Sequence, residues 1–177
     1  MEDKMISFKD LGLSEQMLMA LEKKGYGYPT TIQQQAIPEF LNWKDVIAKA
    51  PTGTGKTFAF GIPMIEHVDA QCQEVQGLVL APTRELAIQI GDELRSLLTY
   101  YQGIRVAVLY GGAGIVGQAR QLEKKPQIVV ATPGRLMDHY NRKNIRFDKI
   151  QTVVLDEADR MLDMGFFTDV TRIIETV

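Results

Sequence analysis

One stretch, Ala50-Pro51-Thr52-Gly53-Thr54-Gly55-Lys56-Thr57, constrains this chain more than any other. Its glycines let the backbone wrap an anionic polyphosphate with the N–H groups pointing inward. The apolar residues that follow, Phe58 to Ile65, open a helix whose N-terminus adds partial positive charge at the same place. Lys56 is spaced to reach the β- and γ-phosphates, and the Thr57 hydroxyl to ligate Mg²⁺. Upstream, Asp45-Val46-Ile47-Ala48-Lys49 reads as a short buried strand, which would complete a strand, loop and helix unit. Ala50 stands where the general pattern begins with Gly. The competing reading is a Gly/Thr-rich turn that caps a helix and leaves Lys56 without a role.

Downstream the rhythm is regular. Gly77–Ala81, Arg105–Tyr110, Gln127–Ala131 and Thr152–Leu155 read as strands. Arg84–Leu98, Ile115–Lys124, Gly134–Asn141 and Phe166–Val177 read as helices, the first with Leu86, Ile90, Leu94 and Leu97 on one face. Strand followed by helix, repeated, predicts an α/β domain with a mostly parallel central sheet and helices on both faces. Ligands of such sheets bind beyond the carboxyl ends of the strands, where the conspicuous motifs fall. Upstream of the phosphate loop, Met1 to Ile6 is a ragged start. Ser14 or an adjacent residue caps a helix through Met17, Leu18, Leu21 and Lys24 that ends at Gly25. Gly25–Pro29 is a loop, and Thr30-Thr31 caps a helix over Ile32–Asn42, with Pro38 predicting a kink or break.

Composition narrows the function. At 177 residues, the chain is long enough for one domain. A net charge of −2 excludes a broadly basic coat, so any nucleic-acid contact must be a local patch or backbone amides. Cys72 is the only cysteine, which forbids an internal disulfide and points to a reducing, cytoplasmic setting. No run is apolar for long enough to span a membrane, and no signal peptide is legible. His67 and His139 lack a partner at metal-ligand spacing and read as packing or surface residues.

A phosphate loop needs an acidic residue after a second apolar strand, and Asp156 follows Val153-Val154-Leu155. It can hold Mg²⁺, directly or through water, while Glu157 orients or deprotonates an attacking water. The chemistry is then phosphoanhydride hydrolysis. Alternatively, Asp156-Glu157-Ala158-Asp159 is an acidic helix start, which suits any helix N-terminus.

Residues 50–57 and Asp156-Glu157-Ala158-Asp159 resemble motifs I and II of the DEAD-box ATP-dependent RNA helicases of superfamily 2. Pro82-Thr83-Arg84-Glu85-Leu86-Ala87 is similar to motif Ia, Gly111-Gly112 to the double-glycine motif, and Thr132-Pro133-Gly134-Arg135 to motif Ib. Phe8, Gly25-Tyr26, Pro29-Thr30 and Ile32-Gln33 resemble the Q motif, over about residues 6–34. The resemblance implies a RecA-like three-layer domain that binds ATP or ADP. It implies that Gln33 bonds the adenine edge and that Tyr26 stacks on its face, although Tyr26 alone could equally be a packing aromatic. Thr52, Gly53, Thr54, Gly55, Lys56 and Thr57 would hold the phosphates, with Lys56, Asp156 and Glu157 catalytic. Thr57 and Asp156 would meet Mg²⁺ largely through water.

Single-stranded RNA would lie along Pro82, Thr83, Arg84, Gly111, Gly112, Thr132, Pro133, Gly134 and Arg135. It would be held by phosphates and 2′-hydroxyls with little sequence preference. From sequence alone, Arg84 could instead sit beside Glu85 on a solvated helix. Asp159 would join contacts to a second RecA-like domain. That domain, and the Ser-Ala-Thr segment that follows motif II in the family, do not occur before Val177. The expectation is therefore a single, monomeric first RecA-like domain over residues 1–177, which binds nucleotide but hydrolyses it poorly. Two alternatives stand beside it. A DNA-directed superfamily 2 translocase would be stimulated equally by DNA and RNA. A non-catalytic nucleotide-dependent interaction module would need no second domain.

Overall fold

The computed structural model describes residues 4–51 and 53–177. Thr52, one of the expected phosphate ligands, and the first three residues of the expected ragged start lie outside the described residues. The chain forms two compact units. One comprises the residues up to His67 together with Glu93–Gln102, the other Val68–Asp92 together with Gly103–Val177.

The first unit is helical among the described residues. A 3-10 turn, Phe8–Leu11, is tied at its start by the Ser7 N–H, which donates to Asp10 Oδ2 at 2.8 Å. Helix α1, Glu15–Lys23, is capped by Ser14, whose Oγ accepts from the Met17 N–H at 3.2 Å. Ser14 also donates through N and Oγ to the Glu66 carboxylate at 3.0 and 2.8 Å, and Tyr101 donates its hydroxyl to the same carboxylate. Helix α2, Thr31–Leu41, begins at a capping box in which Thr30 and Gln33 bond each other's backbone N–H. The helix does not break at Pro38. Only the bond that a Pro38 N–H would have made is missing, and Pro38 itself accepts from the Asn42 N–H at 3.2 Å. Helix α3, Lys56–His67, packs along α2 and buries Phe58, Ala59, Ile62, Met64 and Ile65.

The expected strand at Asp45–Lys49 does not form. Residues 42–49 are exposed and Ile47 is 96% accessible. Three apolar residues between Asp45 and Lys49 bury too little to fix an extended segment that has no ladder bonds of its own.

The second unit carries a four-stranded parallel sheet: β1 (Gly77–Leu80), β2 (Val106–Leu109), β3 (Ile128–Ala131) and β4 (Thr152–Leu155), in the order β2-β3-β1-β4. Every residue of β1, β2 and β3 is buried, as continuous apolar runs in a parallel sheet should be. Helices α5 (Ile115–Glu123), α6 (Pro133–Asn141), α7 (Ala158–Asp163) and α8 (Phe167–Thr176) follow the later strands. Leu78, Leu80, Leu109, Val129, Leu136, Met161 and Ile173 share one apolar core. Helix α4, Arg84–Ser96, follows β1. Its buried stripe is Ala87, Ile90 and Leu94, with Leu97 buried just past its end; Leu86 lies at the stripe's margin, half-buried, because the 3.6-residue period favours Ala87 at that turn.

Register places the functional segments. Leu80 pairs with both Ala131 and Leu155, and Leu109 pairs with Ala131. All four strands therefore end level, and the segments after them leave the same edge of the sheet.

Candidate functional site

The phosphate loop belongs to the first unit. Gly53 and Gly55 have φ of +84° and +83°, the left-handed conformation in which successive N–H groups turn to one side. The Thr54 hydroxyl closes the loop on the Pro51 carbonyl at 2.6 Å. Helix α3 begins at Lys56, directly after Gly55, so the loop ends where the helix dipole is positive. Lys56 makes no ion pair among the described residues, and Lys56 and Thr57 are both half-buried.

Gln33 is nearly buried, at 4% exposure, and is already engaged: its Oε1 accepts from the Thr30 N–H at 2.9 Å, and its Nε2 donates to the Gly55 carbonyl at 3.1 Å. A side-chain amide has two acceptor and two donor positions, so one of each remains. Tyr26 leaves 48% of its surface open, with its ring edge-on to Phe58 at 5.5 Å between centroids.

The other segments leave the carboxyl edge of the sheet in the second unit. After β1, Pro82 is buried, and Thr83 caps α4 by accepting from the Leu86 N–H at 3.2 Å. Arg84 is exposed, with its guanidinium 4.9 Å above the Tyr110 ring. Gly111 and Gly112 follow β2, and Gly112 has φ of +84°. After β3, the Thr132 N–H donates to the Leu109 carbonyl at 2.9 Å, Pro133 opens α6, and Gly134 is exposed. Arg135 turns back: its Nη1 donates to the Ala113 carbonyl at 2.9 Å and to Gln118 Oε1 at 3.2 Å. One guanidinium nitrogen of Arg135 is thus committed to the protein. The structure brings Arg84, the double glycine and Arg135 together.

After β4, the Asp156 N–H extends the ladder to the Leu80 carbonyl at 3.0 Å. Glu157 holds φ of +52° and ψ of +52° at the start of α7, a conformation costing a non-glycine residue about 1–3 kcal/mol. Such strain is kept where the neighbouring structure fixes it. Glu157 accepts from Arg160 Nη1 at 3.3 Å, and Asp159 Oδ1 accepts from the Arg160 N–H at 2.9 Å. Among the described residues no group of three or more His, Cys, Asp or Glu gathers as a metal cage.

Several residues of this region were not legible. Gln118, His139 and Asn144 form a chain beneath Arg135, with His139 wholly buried, and Arg160 stands beside Glu157. Buried polar residues on helix faces that should be apolar were the available signal for Gln118 and His139.

The level parallel sheet, with loops gathered at its carboxyl edge, defines an α/β domain of the RecA-like class. The family model described as DEAD/DEAH box helicase matches residues 30–177, and the chain belongs to that family. It is 49% identical over 173 residues to the DEAD-box ATP-dependent RNA helicase CshA of Bacillus cereus, covering 98% of this chain and 33% of that protein. It is 51% identical over 170 residues to the ATP-dependent RNA helicase CshA of Limosilactobacillus reuteri, covering 96% of this chain and 34% of the relative. A crystal structure of a DEAD box protein from the hyperthermophile Methanococcus jannaschii matches with a TM-score of 0.90 at 44% identity, covering 96% of this chain and 46% of that one. The chain thus spans about a third of the length of the curated relatives it matches.

Proposed function

We propose that residues 1–177 act as the ATP-binding first RecA-like domain of an ATP-dependent RNA helicase, whose complete form couples ATP hydrolysis to local unwinding of RNA. The observation that carries the reading is the phosphate loop: two left-handed glycines lead directly into helix α3 at Lys56-Thr57, in a chain of this family.

On this reading the inward N–H groups of residues 53–57 hold the phosphates and Lys56 balances their charge. Gln33 uses its remaining donor and acceptor on the adenine edge, and Tyr26 offers its open face to the base. Glu157 positions the attacking water, for which the carboxylate oxygen outside its bond to Arg160 suffices. Thr57 and Asp156 would contact Mg²⁺, which when bound neutralises charge on the phosphates. Arg84, the exposed glycine N–H groups and the uncommitted donors of Arg135 hold the phosphates of an RNA strand without reading its bases. A second RecA-like domain, met in part through Asp159, completes both sites. The chain works as a monomer in the cytoplasm.

The test is a titration of the chain with ADP, beside ATP hydrolysis with and without single-stranded RNA. ADP should bind weakly and Lys56→Ala should abolish that binding, while hydrolysis stays near background. No ADP binding by the folded chain would overturn the reading.

A further inference from the structure

The double glycine is bracketed. On its N-terminal side, the Tyr110 carbonyl accepts from Gln118 Nε2 at 2.8 Å; on its C-terminal side, the Ala113 carbonyl accepts from Arg135 Nη1 at 2.9 Å. The same Arg135 nitrogen donates to Gln118 Oε1 at 3.2 Å, and His139 Nε2 lies 3.2 Å from that oxygen. One amide on α5 therefore fastens the loop after β2 to the helix after β3. Gln118 is 3% exposed, so water does not compete for these bonds. Its orientation is determined by its partners, because a flipped amide would set Nε2 against two donors and Oε1 against a carbonyl. Asn144 Nδ2 donates to His139 Nδ1 at 3.1 Å, which leaves the proton on Nε2, pointing at Gln118.

We propose that Gln118 is a positioning residue for RNA: it holds Gly111-Gly112 and Arg135 in the one arrangement that presents backbone N–H groups and guanidinium donors to the same strand. This rests on the RNA reading given above. Gln118 touches no ligand itself. Leucine at this position would fill the space while releasing the Tyr110 carbonyl and one partner of Arg135. Glutamate would keep an acceptor for Arg135 and His139 but lose the donor to Tyr110.

The experiment measures binding of a short oligouridylate and of ADP by the wild-type chain, Gln118→Leu and Gln118→Glu, all at a temperature where each is fully folded. The expected result is a loss of about tenfold or more in RNA affinity for Gln118→Leu, the equivalent of one charge-assisted contact, with ADP affinity unchanged. Gln118→Glu should fall between, and it carries the test if the leucine variant does not fold. Unchanged RNA affinity in the folded variants, or equal loss of RNA and ADP affinity, would overturn the assignment while leaving the RNA reading intact. Absence of RNA binding by the wild-type chain would overturn the RNA reading itself, and this assignment with it.

Discussion

The Gln33 amide donates to the Gly55 carbonyl at 3.1 Å, and a Cβ built on Gly55 would stand 2.3 Å from that same nitrogen. Gln33 also closes the capping box of α2. The start of one helix and the floor of the phosphate loop therefore share a single side chain, and any Cβ on the loop residue facing it would push that amide off its bond.

Gly55→Ala should consequently be worse than Gly53→Ala. Both have φ above +80°, worth about 1–2 kcal/mol for any other residue, but nothing lies within 4 Å of a Cβ at Gly53. Urea unfolding should show the larger loss at Gly55, and ADP titration should show weakened binding there even at temperatures where the variant is folded.

Tyr101 is held neutral. Burial and its bond to Glu66 raise its pKa well above the ordinary tyrosine value. The folded state thus keeps the proton more tightly than the unfolded chain, so this contribution is whole below about pH 10 and is lost as pH rises beyond it. Tyr101→Phe should cost about 1–2 kcal/mol at neutral pH and flatten the alkaline decline in thermal stability.

His139 behaves in the opposite sense. Burial, and then the nearby Arg135 charge, depress its pKa, against a smaller opposing pull from Asp138. Below about pH 6.5 the unfolded chain binds the proton more readily, so stability falls as pH drops from there toward the folded value. His139→Gln should remove that acid slope, as read from Tm against pH.

The Glu157–Arg160 pair is partly solvated, with side-chain exposures of 30% and 54%. Arg160→Ala should change stability by less than about 1 kcal/mol. Glu157→Gln should leave ADP affinity intact and, in a protein that includes the second domain, reduce RNA-stimulated hydrolysis to background.

Much of the fold could be read from short-range pattern. Ser14 and Thr30 cap the helices they were expected to cap, and four apolar runs became four parallel strands. What failed depended on partners distant in sequence. Val46-Ile47-Ala48 looks like β1 or β3 in composition but lacks the ladder that makes a strand. Helix α7, Ala158–Asp163, is too short to show a period. The site motifs were legible because glycines, prolines and threonines mark their own backbone geometry. The second bond of Gln33 and the placement of Gln118 were not, since a long polar side chain reaches across the fold and leaves no local trace. The two protein acceptors of Arg135 Nη1 were hidden for the same reason.

The bonds on either side of Gly111-Gly112 have a thermodynamic consequence. Two adjacent glycines in a free loop would sample many backbone states, and a ligand would have to select one at an entropic cost of about 1–2 kcal/mol per residue. With the Tyr110 and Ala113 carbonyls anchored, that selection takes place when the chain folds. Under the proposed function, a strand arriving at this edge would meet a loop ordered before it binds, so its association should be fast and its temperature dependence free of a loop-ordering component.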